Sequence, residues 1–196
     1  MKSLKLIFLL LITLPWEYSY ASEKDKSFQE QSILSVLYVQ TSTEFAANNI
    51  QTFNNASKAL DMALKDKTWT AALEQKDNFI SKDPAIIIDV DETVLDNSSF
   101  QSRTILSGLS YPNGWAKWVN ESKATAVEGV YEFLHYANES NVKIFYVTNR
   151  LESFREPTIR NLKSLGLPFD DRLNSLIMRE DEDCLLYTSP SPRDNR

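Results

Sequence analysis

The chain has 196 residues, 42% hydrophobic, 11% aromatic and 24% charged, a mixture that excludes a disordered, collagen-like or multi-span membrane protein. A formal charge of −6 and a pI near 4.9 argue against a nucleic-acid binder working through a basic surface, because phosphate neutralisation needs clustered Lys and Arg. With four Gly and neither GxGxxG nor GxxxxGK(S/T), dinucleotide fingerprints and P-loops are excluded; one Cys and one His exclude disulfide frameworks and Cys/His zinc sites, so any metal must be held by oxygen.

Residues 1–21 read as a secretory signal: Lys2 and Lys5 open it, Leu6 to Leu14 form an apolar run, and Ser19-Tyr20-Ala21 supplies small residues for cleavage. At ~1.5 Å per residue the apolar stretch is far shorter than a hydrocarbon core of about 30 Å, so no stable membrane insertion is expected. The mature chain is expected to start at Ser22 and to be periplasmic or secreted. In the N-terminal helical segment, 22–83, Ile33, Leu34, Leu37, Tyr38, Thr41, Phe45 and Ala46 recur at helical spacing, and Ile50, Phe53, Leu60 and Leu64 continue it. This predicts a pair of helices with an apolar stripe against a core.

At Pro84 the period changes. Ala85-Ile86-Ile87-Ile88 is an unalternating β-branched run ending in Asp89, which predicts a strand buried on both faces in a parallel sheet. A helix over 127–138, a strand from Val142 to Val147 running into Thr148-Asn149-Arg150, a helix from about Ser153 to Leu165 stopped by Gly166 and Pro168, and a strand over 175–178 complete a βαβ pattern. In such α/β folds chemistry sits at the carboxyl ends of the strands, where both polar clusters fall. The single His135 is expected on a helix surface, and Arg179 to Asp183 as a solvated acidic loop. From Cys184 onward the chain has no structural period and resembles the translated read-through of a sequencing adapter. Residues 184–196 are therefore expected to be a non-native tail after a chain cut near Asp183.

The informative segment is Asp89-Val90-Asp91-Glu92-Thr93. In an extended chain residues i and i+2 point to one side, so Asp89 and Asp91 share a face where a buried strand meets solvent. Two ionised carboxylates so close repel, and an oxygen-seeking cation such as Mg²⁺ relieves the repulsion. A helix cap at Asp91 is the alternative reading, but it needs only one of the two acids.

Asp89 to Asn97, Asp-Val-Asp-Glu-Thr-Val-Leu-Asp-Asn, resembles the first motif of the haloacid dehalogenase-like (HAD) phosphatases, nearest the class C acid phosphatases, a family of secreted or lipoprotein nucleotidases. The resemblance runs from about Ser32 to Asp183 and includes Gly114 to Val119 and Phe145 to Arg150. It implies an α/β HAD-like doubly wound parallel sheet flanked by helices. Residues 84–183 would form the phosphatase core, with a small helical cap insert at about 98–125. It implies Asp89 as nucleophile, Asp91 as general acid and base, and Mg²⁺ held by the Asp89 carboxylate and the Asp91 backbone carbonyl. Thr148 and Asn149 would bind the phosphoryl oxygens. The expected function is hydrolysis of phosphate monoesters, with nucleoside monophosphates as the small-molecule partner and no nucleic acid.

The insert carries Phe100, Tyr111, Trp115 and Trp118. One or both of the two Trp are expected to pack the insert onto the core, and Tyr111 to be the platform for a nucleobase. The family's Lys and its later acidic motif are not found, Lys163 reading as a surface charge. The sheet is therefore expected to be incomplete in this chain, and the chain weakly active or inactive. A catalytically inactive secreted module binding phosphate or nucleotide, and a phosphotransferase or mutase of the same superfamily, are the alternatives.

Overall fold

The computed structural model of the chain describes residues 31–72, 75 and 79–180. The expected leader and the tail from Cys184 lie outside the described residues. In chain order the elements are α1 (Ile33–Thr41), α2 (Thr43–Lys65), a 3₁₀ turn (Phe79–Ser81), β1 (Ala85–Asp89), β2 (Leu95–Asp96), α3 (Ser98–Ser107), α4 (Trp115–Glu121), β3 (Thr125–Ala126), α5 (Val130–Glu139), β4 (Lys143–Leu151), a 3₁₀ turn (Glu152–Phe154), α6 (Arg155–Ser164) and β5 (Leu176–Arg179). They fall into two compact units: one takes the described residues up to Thr41 with Ser98–Trp115, the other Ser42–Asn97 with Ala116 onward.

In the first unit α1 packs on α3. Val36, 4% exposed, and Gln40 lie one turn apart on the contact face, and the Gln40 amide donates to Ser98 Oγ at 3.2 Å and Ser102 Oγ at 3.1 Å. The predicted inward stripe is therefore corrected here: Leu34 is 78% exposed, and Ile33, Leu37 and Tyr38 are exposed with it. The helical period holds, but the buried residue of α1 is Val36, which lies off the predicted stripe, with the exposed Gln40 one turn on bonded to α3. Beyond α3, Trp115 packs edge-on against Phe100 at 5.1 Å and Tyr111 at 5.9 Å between ring centroids.

The second unit contains the sheet. Ser42 separates the two predicted helices by capping α2, its side chain accepting from Phe45 N at 3.2 Å. Helix α2 lies on α5: Phe53 and Phe133 meet at 5.7 Å, the Tyr136 hydroxyl donates to Asp61, and Leu60 is buried. Strands β1, β4 and β5 form a parallel sheet in the order β1-β4-β5, with Ile86 opposite Ile144 and Asp89 opposite Val147. Ile88, Tyr146, Leu176 and Met178 are buried on one face with Val130, Leu134 and Leu162. Burial alternates along β4, and Ile87 is 75% exposed on β1, an edge strand among the described residues. That corrects the expectation of a strand covered on both faces: the central strand β4 alternates as well, so one face of the sheet is the more deeply covered, which a continuous apolar run does not reveal.

A two-stranded antiparallel ladder, Leu95 opposite Ala126 and Asp96 opposite Thr125, ties together the chain on either side of the insert. Asn161 of α6 supports it, donating to Ala124 O at 2.8 Å and accepting from Ala124 N at 3.1 Å. Gly166, in the left-handed region at φ +70°, ends the α6 region with its N–H on Lys163 O. His135 is half-buried, its Nε2 2.9 Å from Gly166 O, and Lys163 is exposed and paired with Asp171 at 2.7 Å.

Gly129 precedes α5 at φ +84°, and a Cβ there would stand 3.0 Å from the Ile50 Cα of α2 and 3.3 Å from the Phe53 Cβ. Gly129→Ala is expected to cost about 1–3 kcal/mol through backbone strain and overpacking. A lower urea midpoint at unchanged slope would show it; an unchanged midpoint would mean that α2 and α5 separate freely.

Candidate active site

Strand β1 ends at Asp89, and the next residue, Val90, is fully buried. The Val90 carbonyl accepts from both Val94 N at 2.9 Å and Leu95 N at 2.8 Å, while Glu92 N donates to Leu95 O at 2.8 Å. Glu92 sits at φ +59° to close this loop. The loop thus turns tightly around a buried valine and leaves Asp89 and Asp91 flanking it. The Thr93 hydroxyl donates to Asp89 Oδ2 at 3.0 Å. Burial pushes the Asp89 carboxyl above its usual range, partly opposed by that hydrogen bond; the Asp91 charge adds to the rise and Arg150 opposes it.

Because Asp89 is opposite Val147 in the parallel ladder, the end of β4 lies beside this loop. Thr148 and Arg150 point to the buried side, Thr148 fully buried and Arg150 only 4% exposed. The Thr148 hydroxyl donates to Asp91 Oδ2 at 3.2 Å and accepts from Arg150 N at 3.1 Å. Arg150 Nη2 donates to Asp91 Oδ1 at 2.7 Å, and its Nε to Oδ1 at 3.1 Å and Oδ2 at 3.2 Å. Its Nη1 donates to Thr158 of α6 at 3.1 Å. Asn97, 2% exposed, gives its amide N–H to Asp91 Oδ1 at 2.8 Å and receives the Trp118 indole N–H on its Oδ1, also at 2.8 Å.

Of the residues predicted from sequence, Asp89, Asp91 and Thr148 are gathered at one end of two adjacent strands. Asn149 follows Thr148 on β4 and is half-buried. Tyr111 belongs to the first unit, where it is 67% exposed and rests edge-on against Trp115. Trp118 is 3% exposed and packs inward, as expected of it. Sequence reasoning missed the roles of Arg150, Asn97, Thr93 and Thr158. For Arg150 a signal existed: it falls two and four residues after Thr148 and Tyr146, on the inward face of a strand.

Asp89, Asp91 and Glu92 bring three carboxylates and Arg150 one guanidinium, a surplus of negative charge next to a partly buried acid. Among the described residues no group of three or more His, Cys, Asp or Glu gathers to hold a metal. The available protein donors, the Asp89 carboxylate and main-chain oxygen, suit a hard ion that keeps water and phosphate oxygens in its shell. The residues fit Mg²⁺ in kind.

The raised Asp89 carboxyl fixes the sign of a stability test. Keeping it ionised above its folded-state value costs folding free energy, and the cost fades as pH falls towards the unfolded value of about 4. Asp89→Asn is therefore expected to raise the melting temperature at pH 7 without divalent cations, with the gain shrinking as pH falls towards the unfolded value. A lower melting temperature at pH 7 would contradict the burial effect.

The sequence pattern of the family described as HAD superfamily, subfamily IIIB (acid phosphatase), matches residues 17–188. Two solved structures of the class C acid phosphatase from Bacillus anthracis resemble the chain. One, with tungstate bound, is 31% identical with a TM-score of 0.69, covering 80% of this chain and 60% of that one. The other is 32% identical with a TM-score of 0.68, covering 79% and 60%. The chain thus spans about 60% of the length of these relatives. No helix among the described residues is long and apolar enough to cross a membrane. With an Asp-x-Asp loop at the end of β1, Thr148 and Arg150 at the end of β4, and these matches, the chain belongs to subfamily IIIB of the HAD superfamily, the acid phosphatases.

Proposed function

We propose that the protein is a Mg²⁺-dependent phosphatase that hydrolyses phosphate monoesters, nucleoside monophosphates above all, through an aspartyl-phosphate on Asp89. The observation that carries this reading is the register of β1 on β4, by which a partly buried carboxylate, a second carboxylate and a threonine hydroxyl converge at the carboxyl ends of two parallel strands. Tungstate, bound by a relative of the same family, is a tetrahedral oxyanion of the phosphate type, which supports an oxyanion site.

In the first step, once Asp91 has taken a proton from solvent on Oδ2 in the complex with the anionic ester, an Asp89 carboxylate oxygen attacks phosphorus, the bond to the ester oxygen breaks, and Asp91 gives that proton to the departing alkoxide. In the second, Asp91, now a carboxylate, takes a proton from water as the water oxygen attacks phosphorus and Asp89 leaves. Alcohol and inorganic phosphate are the products, and both acids return to their starting states. Thr148 turns its hydroxyl from Asp91 to a phosphoryl oxygen, and Asn149 assists it. The Asp89 carboxylate and the Asp91 backbone carbonyl would hold Mg²⁺, which when bound neutralises charge between an anionic nucleophile and an anionic ester. Tyr111 offers a face for a nucleobase. The leader over 1–21 supports secretion or a periplasmic location.

The test is acid quenching of the chain with a phosphate monoester and Mg²⁺, followed by a search for covalent phosphate on the peptide containing Asp89. A phosphorylated peptide is expected, with inorganic phosphate released slowly, in keeping with the weak activity expected of a chain in which the family's Lys and later acidic motif are not found. Asp89→Asn should remove both, lowering turnover by more than about 10³-fold, while the circular dichroism spectrum is kept. Turnover surviving in that variant would end the nucleophile assignment. Tyr111→Ala should lower kcat/KM for nucleoside monophosphates by roughly tenfold relative to p-nitrophenyl phosphate, as expected for a stacking contact. Equal losses would remove the platform.

A further inference from the structure

We propose that Arg150 is a positioning residue that divides the work of the two Asp91 oxygens, anchoring Oδ1 so that Oδ2 is presented for proton transfer. The inference rests on the role assigned to Asp91 above. The two shortest bonds to this carboxylate both end on Oδ1: Arg150 Nη2 at 2.7 Å and Asn97 Nδ2 at 2.8 Å. Those to Oδ2, from Thr148 Oγ1 and Arg150 Nε, are both 3.2 Å. Oδ1 is therefore the tightly held oxygen, and Oδ2 loses a partner when Thr148 turns towards a phosphoryl group.

Both donors to Oδ1 are themselves held. Arg150 is buried and bonded to Thr158 on α6, and Asn97 takes the Trp118 indole N–H. A planar guanidinium fixes the plane of a carboxylate as well as its charge, which an ammonium does not. A carboxyl free to rotate would present Oδ2 to the leaving oxygen for only part of the time, and proton transfer needs donor and acceptor within about 3 Å.

The resulting defect depends on the leaving group. An aryl phosphate such as p-nitrophenyl phosphate releases a stable phenolate that needs little protonation, whereas an alkyl phosphate such as glycerol phosphate releases an alkoxide that must be protonated. With Arg150→Gln and Arg150→Lys, the ratio of alkyl to aryl kcat is expected to fall on the order of 100-fold, the usual scale of general acid catalysis, with KM for both esters changed less than threefold. Lys should not restore the ratio. Equal losses on the two esters, a loss confined to KM, or full rescue by Lys would each overturn the assignment. Should the Arg150 variants fail to fold, Thr158→Val removes only the anchor at Nη1, and the same selective fall, smaller in size, is expected; a Thr158→Val chain with an unchanged ratio would overturn it. Covalent phosphate on Asp89 is scored first in the unaltered chain: without it the phosphatase reading fails, and with it a leaving-group-independent defect fails the positioning role alone.

Discussion

The site of the second unit depends on one charge pair, the buried Arg150 guanidinium against the partly exposed Asp91 carboxylate. Taking a charge such as that of Arg150 out of water costs several kcal/mol, repaid only when geometry and additional hydrogen bonds satisfy the remaining donors and acceptors. Here the additional partners are Thr158, Asn97 and Thr148, on α6, after β2 and on β4. The ion pair therefore ties together four separate stretches of chain, and through Asn97 it reaches Trp118 on α4. Loss of Asp91 leaves the Arg150 charge buried without its counter-ion, whereas loss of Arg150 leaves a carboxylate that still reaches solvent and keeps Asn97 and Thr148.

The charge pair does not balance the site. Asp89 stays outside it, half-buried, with a carboxyl pushed up by burial and by the Asp91 charge. One guanidinium already committed to Asp91 does little to draw in a dianionic ester. The negative surplus is the electrostatic reason to expect a hard cation beside Asp89, and the oxygen-only donors are the chemical reason to expect Mg²⁺ there. Thr93 eases the cost of the ionised nucleophile from within the same loop, a local device for holding a partly buried acid ready.

The sheet is covered unequally. Its order, β1-β4-β5, advances in one direction, so right-handed crossovers lay α5 and α6 on the same face. Ile88, Tyr146 and Met178 are buried beneath them, while Ile87 at 75% and Ile177 at 36% stay exposed on the other side. The buried face carries Thr148 and Arg150 into the core at the strand end, so the packing that stabilises the sheet also orients the polar groups of the site.

The sequence by itself determined the local elements and the chemical kind of the site. Asp89 and Asp91 close an apolar run, Thr148 follows a second one, and Gly166 can end a helix; each depends on near neighbours and so can be read from spacing. Tertiary structure alone decided which side of α1 is buried, where β1 sits in the sheet and what Asp91 touches. A run such as Ile86-Ile87-Ile88 is the same in an edge strand as in a central one, and its neighbours are chosen by chain order in space. The Arg150–Asp91 pairing joins residues 59 positions apart, and only the parallel register of β1 on β4 brings them within hydrogen-bonding distance. That contact belongs to the packed sheet, because neither strand end carries a local signal naming its partner.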